Sequence, residues 1–376
     1  MLIQDLMTPA AILDRTVMQH NIDKMQSRMN QLGVKFRPHV KTSKCIEVVR
    51  AQVQAGAEGI TVSTLKEAEA FFAAGFNDIL YAVGMVPPKL KSALGLMRRG
   101  CDLKILTDSV ASATAISEFG REHGVTFQVL IEIDTDDHRS GIKPDSAMLL
   151  EVAHAIKTPG ANLAGVMTHA GASYDLSEQS ALIAMAEQER SRCVAAAQLL
   201  RKAGHACPIV SVGSTPTGLS AVKLDGVTEF RAGVYVFFDL VMHNIGVCRM
   251  DEIALSILTT VIGHQTEKGW AIIDAGWMAM SRDRGTQRQK IDFGYGQVCD
   301  LEGRPIEGYR VTSANQEHGI LSRVGQIDPA IDHTFPVGTL LRILPNHACA
   351  TGAQFSSYQA MTSNGQTAEW PRFNGW

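Results

Sequence analysis

From about residue 14 to residue 240 the chain alternates short β-branched runs with longer amphipathic or alanine-rich stretches, and this alternation is what most narrows its possible folds. Neighbouring parallel strands need connections long enough to hold a helix, so strand–helix repetition predicts a parallel sheet covered by helices. Eight strand candidates can be counted: KFRPHVK (35 to 41), GITVS (59 to 63), DILYAV (78 to 83), DLKILTD (102 to 108), TFQVLIEID (126 to 134), LAGVMTHA (163 to 170), PIVSVGS (208 to 214) and EFRAGVYVFF (229 to 238). Eight strands suit closure into a (β/α)8 TIM barrel, an α/β fold of about 250 residues. Ahead of the first strand, Met18, Ile22, Met25, Met29 and Leu32 recur at helical steps with Gly33 as C-cap. After the second, Thr64 and Glu67 have capping-box spacing and Gly75 closes the helix.

Beyond residue 240 the texture changes to strands without intervening helices: ALSILTTVIGH, WAIIDAG, QVCDL, YRVTSANQEHG and LLRILPNHACA. A separate β domain is expected there, and TPAAILD near the start reads as a strand that joins it. The expected organisation is therefore an N-terminal strand segment (1–13), a barrel (14–240) and a C-terminal β domain (241–376).

Composition narrows the function classes. Hydrophobic residues at 45% and charged residues at 19% supply a large core. A net charge of −3 with Lys and Arg scattered argues against nucleic acid and for a small-molecule ligand. No apolar run approaches the roughly 18 residues that cross a bilayer, so no membrane partner is expected. The start MLIQDLMTPAAILDR lacks a secretory pattern, which predicts a cytoplasmic protein. Seven cysteines with no CxxC pair do not suggest a disulfide framework.

Active sites of such barrels lie at the C-terminal strand ends. Lys41 closes the first strand candidate, where desolvation could fit its amine to form an imine with a carbonyl. A lone lysine is more often simply solvated, but this one has company on the same rim: Arg139, His169, the turn Gly213-Ser214-Thr215, Gly233 and Tyr235. A small-residue turn after strand seven offers N–H groups and hydroxyls to a phosphate, which suggests a phosphorylated cofactor. Taken singly, that turn would be only a turn, and His169 a core histidine. In the second domain, His347 and Cys349 end an apparent strand in PNHACAT, so alternation puts both on one face. Such a pair can hold a divalent metal, with Zn²⁺ favoured by softness. The alternative is a buried cysteine beside a hydrogen-bonded histidine.

Taken together and in order, RPHVKTSK, ITVSTLKEAEAFFAAG, HRSG, THAG, SVGSTPT, QEHG and PNHACAT resemble the fold-type III enzymes that use pyridoxal 5'-phosphate (PLP), over essentially the whole chain. Within that family the D-threonine aldolase and D-serine dehydratase group is most similar, in particular its D-threo-3-hydroxyaspartate dehydratase branch. The resemblance implies that Lys41 carries PLP, that Gly213, Ser214, Thr215, Gly233 and Tyr235 contribute to the phosphate site, and that His169 lies against the cofactor ring. It also implies Tyr174 as a partner of the pyridine side, Arg139 near the phenolic oxygen, and a homodimer. The family's aldolases carry His-Cys-Asp and its dehydratases His-x-Cys; here His347-Ala348-Cys349 precedes Ala350, which favours dehydration. The divalent metal (Zn, Mn, Mg or Co) would assist loss of the β-hydroxyl. Alanine racemase's second-domain tyrosine finds no match near DAGWMAM (274 to 280). The implied activity is elimination of water from a D-β-hydroxy amino acid, with Lys41 as base, followed by hydrolysis of the resulting enamine to ammonia and a 2-oxo acid. Retro-aldol cleavage and a non-catalytic PLP carrier are the alternatives. A second substrate carboxylate would need a cation, for which His138, Arg139, Arg282 and Arg284 are candidates, although the last two equally suit a solvated loop.

Overall fold

The computed structural model describes Met1 to Trp376. Its first half runs β1 (Ala10–Asp14), α1 (Arg15–Gln31), β2 (Lys35–Phe36), α2 (Ile46–Gln54), β3 (Ile60–Val62), α3 (Leu65–Ala73), β4 (Asp78–Gly84), α4 (Pro87–Arg98), β5 (Asp102–Thr107), α5 (Val110–His123), β6 (Phe127–Glu132), α6 (Ala147–Ala155), β7 (Ala161–Met167), α7 (Gln179–Lys202), β8 (Ile209–Val212), α8 (Thr215–Ser220) and β9 (Glu229–Phe230). The stripe on α1 is core: Met18, Ile22, Met25 and Met29 are buried, and Gly33 ends the turn at a φ of +70° that glycine adopts without strain. Thr64 caps α3 by accepting the Glu67 N–H, but the Glu67 carboxylate reaches Ser63 rather than Thr64.

Strands β2 to β9 form one parallel eight-stranded sheet, with β2 paired to β9. The ring closes through a single bridge between His39 and Thr61, flanked by the hydrogen bonds of Thr61 N–H to Pro38 and of Val40 N–H to Thr61. The expected α/β barrel is therefore present, with shorter strands. The runs at 35–41 and 229–238 pair regularly over two residues only. Leu80, Leu106, Leu130, Ala164 and Met167 form one apolar cluster across four adjacent strands. At the strands' N-terminal ends, buried Arg37 donates to Glu229 (3.0 Å) and through both terminal nitrogens to Asp78 (2.9 Å each), and Lys104 also meets Asp78 at 2.8 Å. Every one of these charges is paired, which is the condition for burying them. The chemistry belongs to the opposite end.

The second half contains α9 (Leu240–Ile245), β10 (Leu255–Gln265), β11 (Trp270–Ile273), α10 (Trp277–Met280), β12 (Gly296–Cys299), β13 (Pro305–Ala314), β14 (Gly319–Arg323), α11 (Ile331–Thr334), β15 (Leu340–Leu344), α12 (Ala348–Gly352), β16 (Ser357–Met361) and β17 (Thr367–Pro371). Nine strands form the order β11-β14-β13-β12-β15-β10-β1-β16-β17, and β10 also pairs with β11, so six of them close on themselves. All pairs are antiparallel except β1 with β16. Two expectations need correction. The region is not helix-free, holding four helices of four to six residues. YRVTSANQEHG is not one strand throughout: residues 309–314 end β13 and residues 315–318 make the turn into β14, with Asn315 and His318 bonded across it.

By contact density the chain divides into two compact units, Met1–Ile22 with Val234–Asn374, and Asp23–Gly233 with Gly375–Trp376. No helix is long and apolar enough to cross a membrane.

Candidate active site

In the barrel unit, Lys41 lies in the tight turn that follows β2 and is exposed. Three residues on, Lys44 occupies a left-handed backbone position (φ +45°), and its Nζ meets the buried Glu67 carboxylate at 3.1 Å. The turn is thereby tied to the start of α3, leaving Lys41 as its unengaged amine. Gly233 packs against the same turn, where a side chain would press on the His39 carbonyl and Thr42 Oγ1.

His169 follows β7 and is half-buried; its Nδ1 bonds the Gly213 carbonyl at 2.9 Å. Burial, with the charge of Lys41 next in size, lowers its pKa to about 3, so the ring is neutral. A neutral ring bonded to a carbonyl donates from Nδ1, which leaves Nε2 as an acceptor. Tyr174 is half-buried with its ring 6.0 Å from that of His169, inclined at 49°. Arg139 is exposed on the loop after β6, its guanidinium 3.7 Å from buried Glu132. Burial raises the Glu132 pKa against a Ser140 hydrogen bond and the Arg139 charge. His138 packs its ring on Gly171, leaving no room there for a Cβ.

Gly213 has φ +138°, and a Cβ would collide with the Arg231 carbonyl, so only glycine fits. Ser214 caps α8 by accepting from Thr217 N–H, and its Oγ also meets Ser173 Oγ at 2.9 Å. Thr215 is fully buried, as is Tyr235 in the turn after β9.

Two groups here escaped sequence reasoning. Arg231, just past β9, is buried and donates to Ser211 Oγ (2.5 Å) and to the Thr168 carbonyl. It is a fixed cation that helps keep His169 neutral. His39 is neutral too, its pKa pulled well down by burial and then by Lys41, and its buried Nδ1 has no hydrogen-bond partner. An arginine inside the apolar run EFRAG was the available signal for the first. These groups fit PLP: an amine for the aldehyde, neutral rings for the pyridine, an orphaned buried nitrogen, and a small-residue turn for the phosphate.

In the other unit, β15 ends at Leu344, and the His347–Cys349 pair belongs to a helix rather than a strand. Asn346 is the reason, since its buried amide bonds Thr286 Oγ1 (2.8 Å) and the Gly294 carbonyl (2.7 Å), turning the chain out of the sheet. His347 becomes the N-cap of α12, and Cys349 lies in its first turn. The two side chains still meet, hydrogen-bonded to one another, by helical winding instead of alternation. His347 Nδ1 donates to Asp283 at 2.6 Å, and buried Asp239 accepts from the Ala348 N–H at 3.0 Å. Burial would lower the His347 pKa, but Cys349 and then Asp283 carry it well above its ordinary value. Of the seven cysteines only Cys349 is not buried. An imidazole with Nδ1 held by a carboxylate, beside an accessible thiol, fits a divalent metal of zinc-like softness. His347 and Cys349 would supply two ligands, and no group of three or more His, Cys, Asp or Glu side chains converges. Asp283 sits between the two arginines weighed above; Arg284 pairs with Asp292 at 2.8 Å, and Arg282 lies over the Trp277 ring.

Residues 13–241 match the model of the alanine racemase N-terminal domain, and residues 254–361 that of the putative serine dehydratase domain. The chain is 63% identical over 371 residues to the D-threo-3-hydroxyaspartate dehydratase of Delftia sp. (strain HT23), covering 98% of both. It is 29% identical to the D-serine dehydratase of Dictyostelium discoideum, covering 97% of this chain and 95% of that one. A solved structure of the Delftia sp. HT23 dehydratase, and one of a D-threo-3-hydroxyaspartate dehydratase cysteine-to-alanine mutant in the metal-free form, each match at TM-score 0.99 and 62% identity over 100% of both chains. The chain therefore belongs to the fold-type III PLP enzymes, in the group that contains the D-threo-3-hydroxyaspartate and D-serine dehydratases.

Proposed function

We propose that this chain is a PLP- and divalent-metal-dependent ammonia-lyase that converts D-threo-3-hydroxyaspartate to oxaloacetate and ammonia, and also D-serine to pyruvate. The observation that carries this reading over retro-aldol cleavage is the His347–Cys349 pair backed by Asp283, with Cys349 two residues after the histidine, where the aldolase pattern His-Cys-Asp has an acid. When bound, PLP would accept the electron pair left at Cα, and the metal would act as a Lewis acid on the departing oxygen.

The chain's own groups account for the rest. Lys41 Nζ would hold the cofactor and, once released by substrate, take the Cα proton, since Lys44 is engaged with Glu67. His169 keeps one ring orientation through Gly213 and adds no charge beside the reacting centre at any pH above about 3. Gly213, Ser214 and Thr215, with Gly233 and Tyr235, would hold the phosphate, and Tyr174 and Arg139 would border the ring. Asp283 orients His347 through Nδ1, so Nε2 is the nitrogen that would face a metal, at the expense of a proton. The barrel thus serves as cofactor domain and the C-terminal β domain as metal domain of a cytoplasmic homodimer. Sedimentation should give a dimer, and a fully active monomer would contradict that part.

The deciding assay measures ammonia and keto acid from D-serine, D-threonine and the stereoisomers of 3-hydroxyaspartate, with and without chelator. Oxaloacetate with equal ammonia from the D-threo isomer is expected; glycine and an aldehyde would instead establish the aldolase. Cofactor bound without product from any of them would leave only the carrier. Thr215→Ala should raise the PLP dissociation constant about tenfold while changing kcat at saturating PLP much less, because one lost phosphate contact is worth about 1.4 kcal/mol. An unchanged dissociation constant would remove Thr215 from the phosphate site.

A further inference from the structure

We propose that Glu189, in the middle of α7, is a positioning residue that sets His169 and the Gly213 turn in register for the cofactor, a role that rests on the cofactor reading above. One stretch of α7 reaches over the ends of three neighbouring strands. Gln188 Nε2 (2.7 Å) and Arg192 Nη1 (2.8 Å) both donate to the Thr135 carbonyl after β6. Between them, one oxygen of Glu189 accepts from Ala170 N–H after β7 (2.9 Å) and from Gly213 N–H after β8 (3.1 Å). Gly213 in turn accepts from His169.

The contacts form a closed circuit. Glu189 holds His169 through the next residue's amide, Gly213 holds its ring, and Glu189 holds Gly213. Removing the carboxylate frees both loops at once and leaves two N–H donors without an acceptor. A carboxylate only 1% exposed in mid-helix is otherwise a poor choice, since an apolar residue would pack there at no desolvation cost. The groups that face it are Arg231 from the end of β9, Thr217 from α8, the two amides, and Cys193 on its own helix. Burial, opposed by the Thr217 hydrogen bond, pushes its pKa up to about 7. Above that pH it sets a negative charge beside the turn that would hold the phosphate.

Glu189→Met keeps the volume and removes the acceptor; Glu189→Gln keeps an oxygen that can accept both amides. In holoenzyme carrying 15N-histidine, the His169 Nδ1–H resonance is assigned by its absence in His169→Asn. Glu189→Met is expected to lose that resonance and to weaken PLP binding about tenfold, and Glu189→Gln to restore both. A Glu189→Met enzyme with normal resonance and PLP affinity, altered only in melting temperature, would overturn the proposal. Should Glu189→Met not fold, Glu189→Asp, whose carboxylate stops one methylene short of the two amides, takes its place: a shifted resonance and weaker PLP binding are expected, and parental values of both would overturn the proposal. Failure of the cofactor reading is distinguishable, because the parent would then bind no PLP while the resonance still reports on Glu189.

Discussion

Lys41→Ala is expected to abolish turnover, with ammonia release falling by about 10³-fold or more, because the residue proposed both to hold the cofactor and to move the Cα proton is gone. Borohydride followed by mass spectrometry should add one reduced cofactor to the parent chain and none to the variant. No other amine is free to substitute at this turn, since Lys44 is tied to buried Glu67 at 3.1 Å. Stability should move little, because Lys41 is exposed and surface replacements stay within about 0.5 kcal/mol. An inactive enzyme with an unchanged melting temperature is thus the predicted result. A cofactor still fixed to Lys41→Ala by borohydride would move the attachment elsewhere.

The second large effect concerns Cys349. If His347 and Cys349 hold a metal that helps the hydroxyl leave, Cys349→Ala or chelation should leave PLP bound and Cα–H exchange in heavy water measurable. Ammonia release should fall about 10³-fold, the scale of several kcal/mol of Lewis-acid stabilisation. If the pair is only structural, Cys349→Ala should cost about 1 kcal/mol of packing and preserve activity per folded molecule. The structural alternative is weakened by exposure, since Cys349 alone among the cysteines is not buried. Metal analysis on the same variant completes the comparison, and full dehydratase activity after chelation would sink the metal role. Asp283→Ala should reproduce part of the loss, since it frees the His347 ring that its carboxylate fixes at 2.6 Å.

Much of this was legible because barrels put chemistry where strands end. Lys41, His169 and the Gly213 turn could be picked out from eight apolar runs and the polar residues that close them. What escaped was of another kind. Glu189 acts on Ala170 and Gly213, 19 and 24 residues away, and Asp239 on Ala348, 109 away. No periodicity encodes a side chain whose partner is a distant backbone amide. Asp283 was overlooked between two arginines that drew attention as cations. The His347–Cys349 convergence was right for the wrong reason, because a strand was read through Asn346, whose side chain satisfies Thr286 and Gly294 and ends the pairing.

The sheet that joins β1 to β10 and β16 also dictates when this protein can fold. Ile12, Leu13 and Asp14 pair with Gln359, Ala360 and Met361, so β1 finds that neighbour only once synthesis has passed residue 361. The barrel has the same character on a smaller scale, since Phe36 pairs with Phe230. Both closures span most of a sequence and pay their loop entropy before any contact rewards it, the circumstance in which folding is slow and incomplete chains stay open. A nascent chain stalled before residue 357 therefore lacks the strand that β1 needs, and its exposed edge is the segment a chaperone would have to shield.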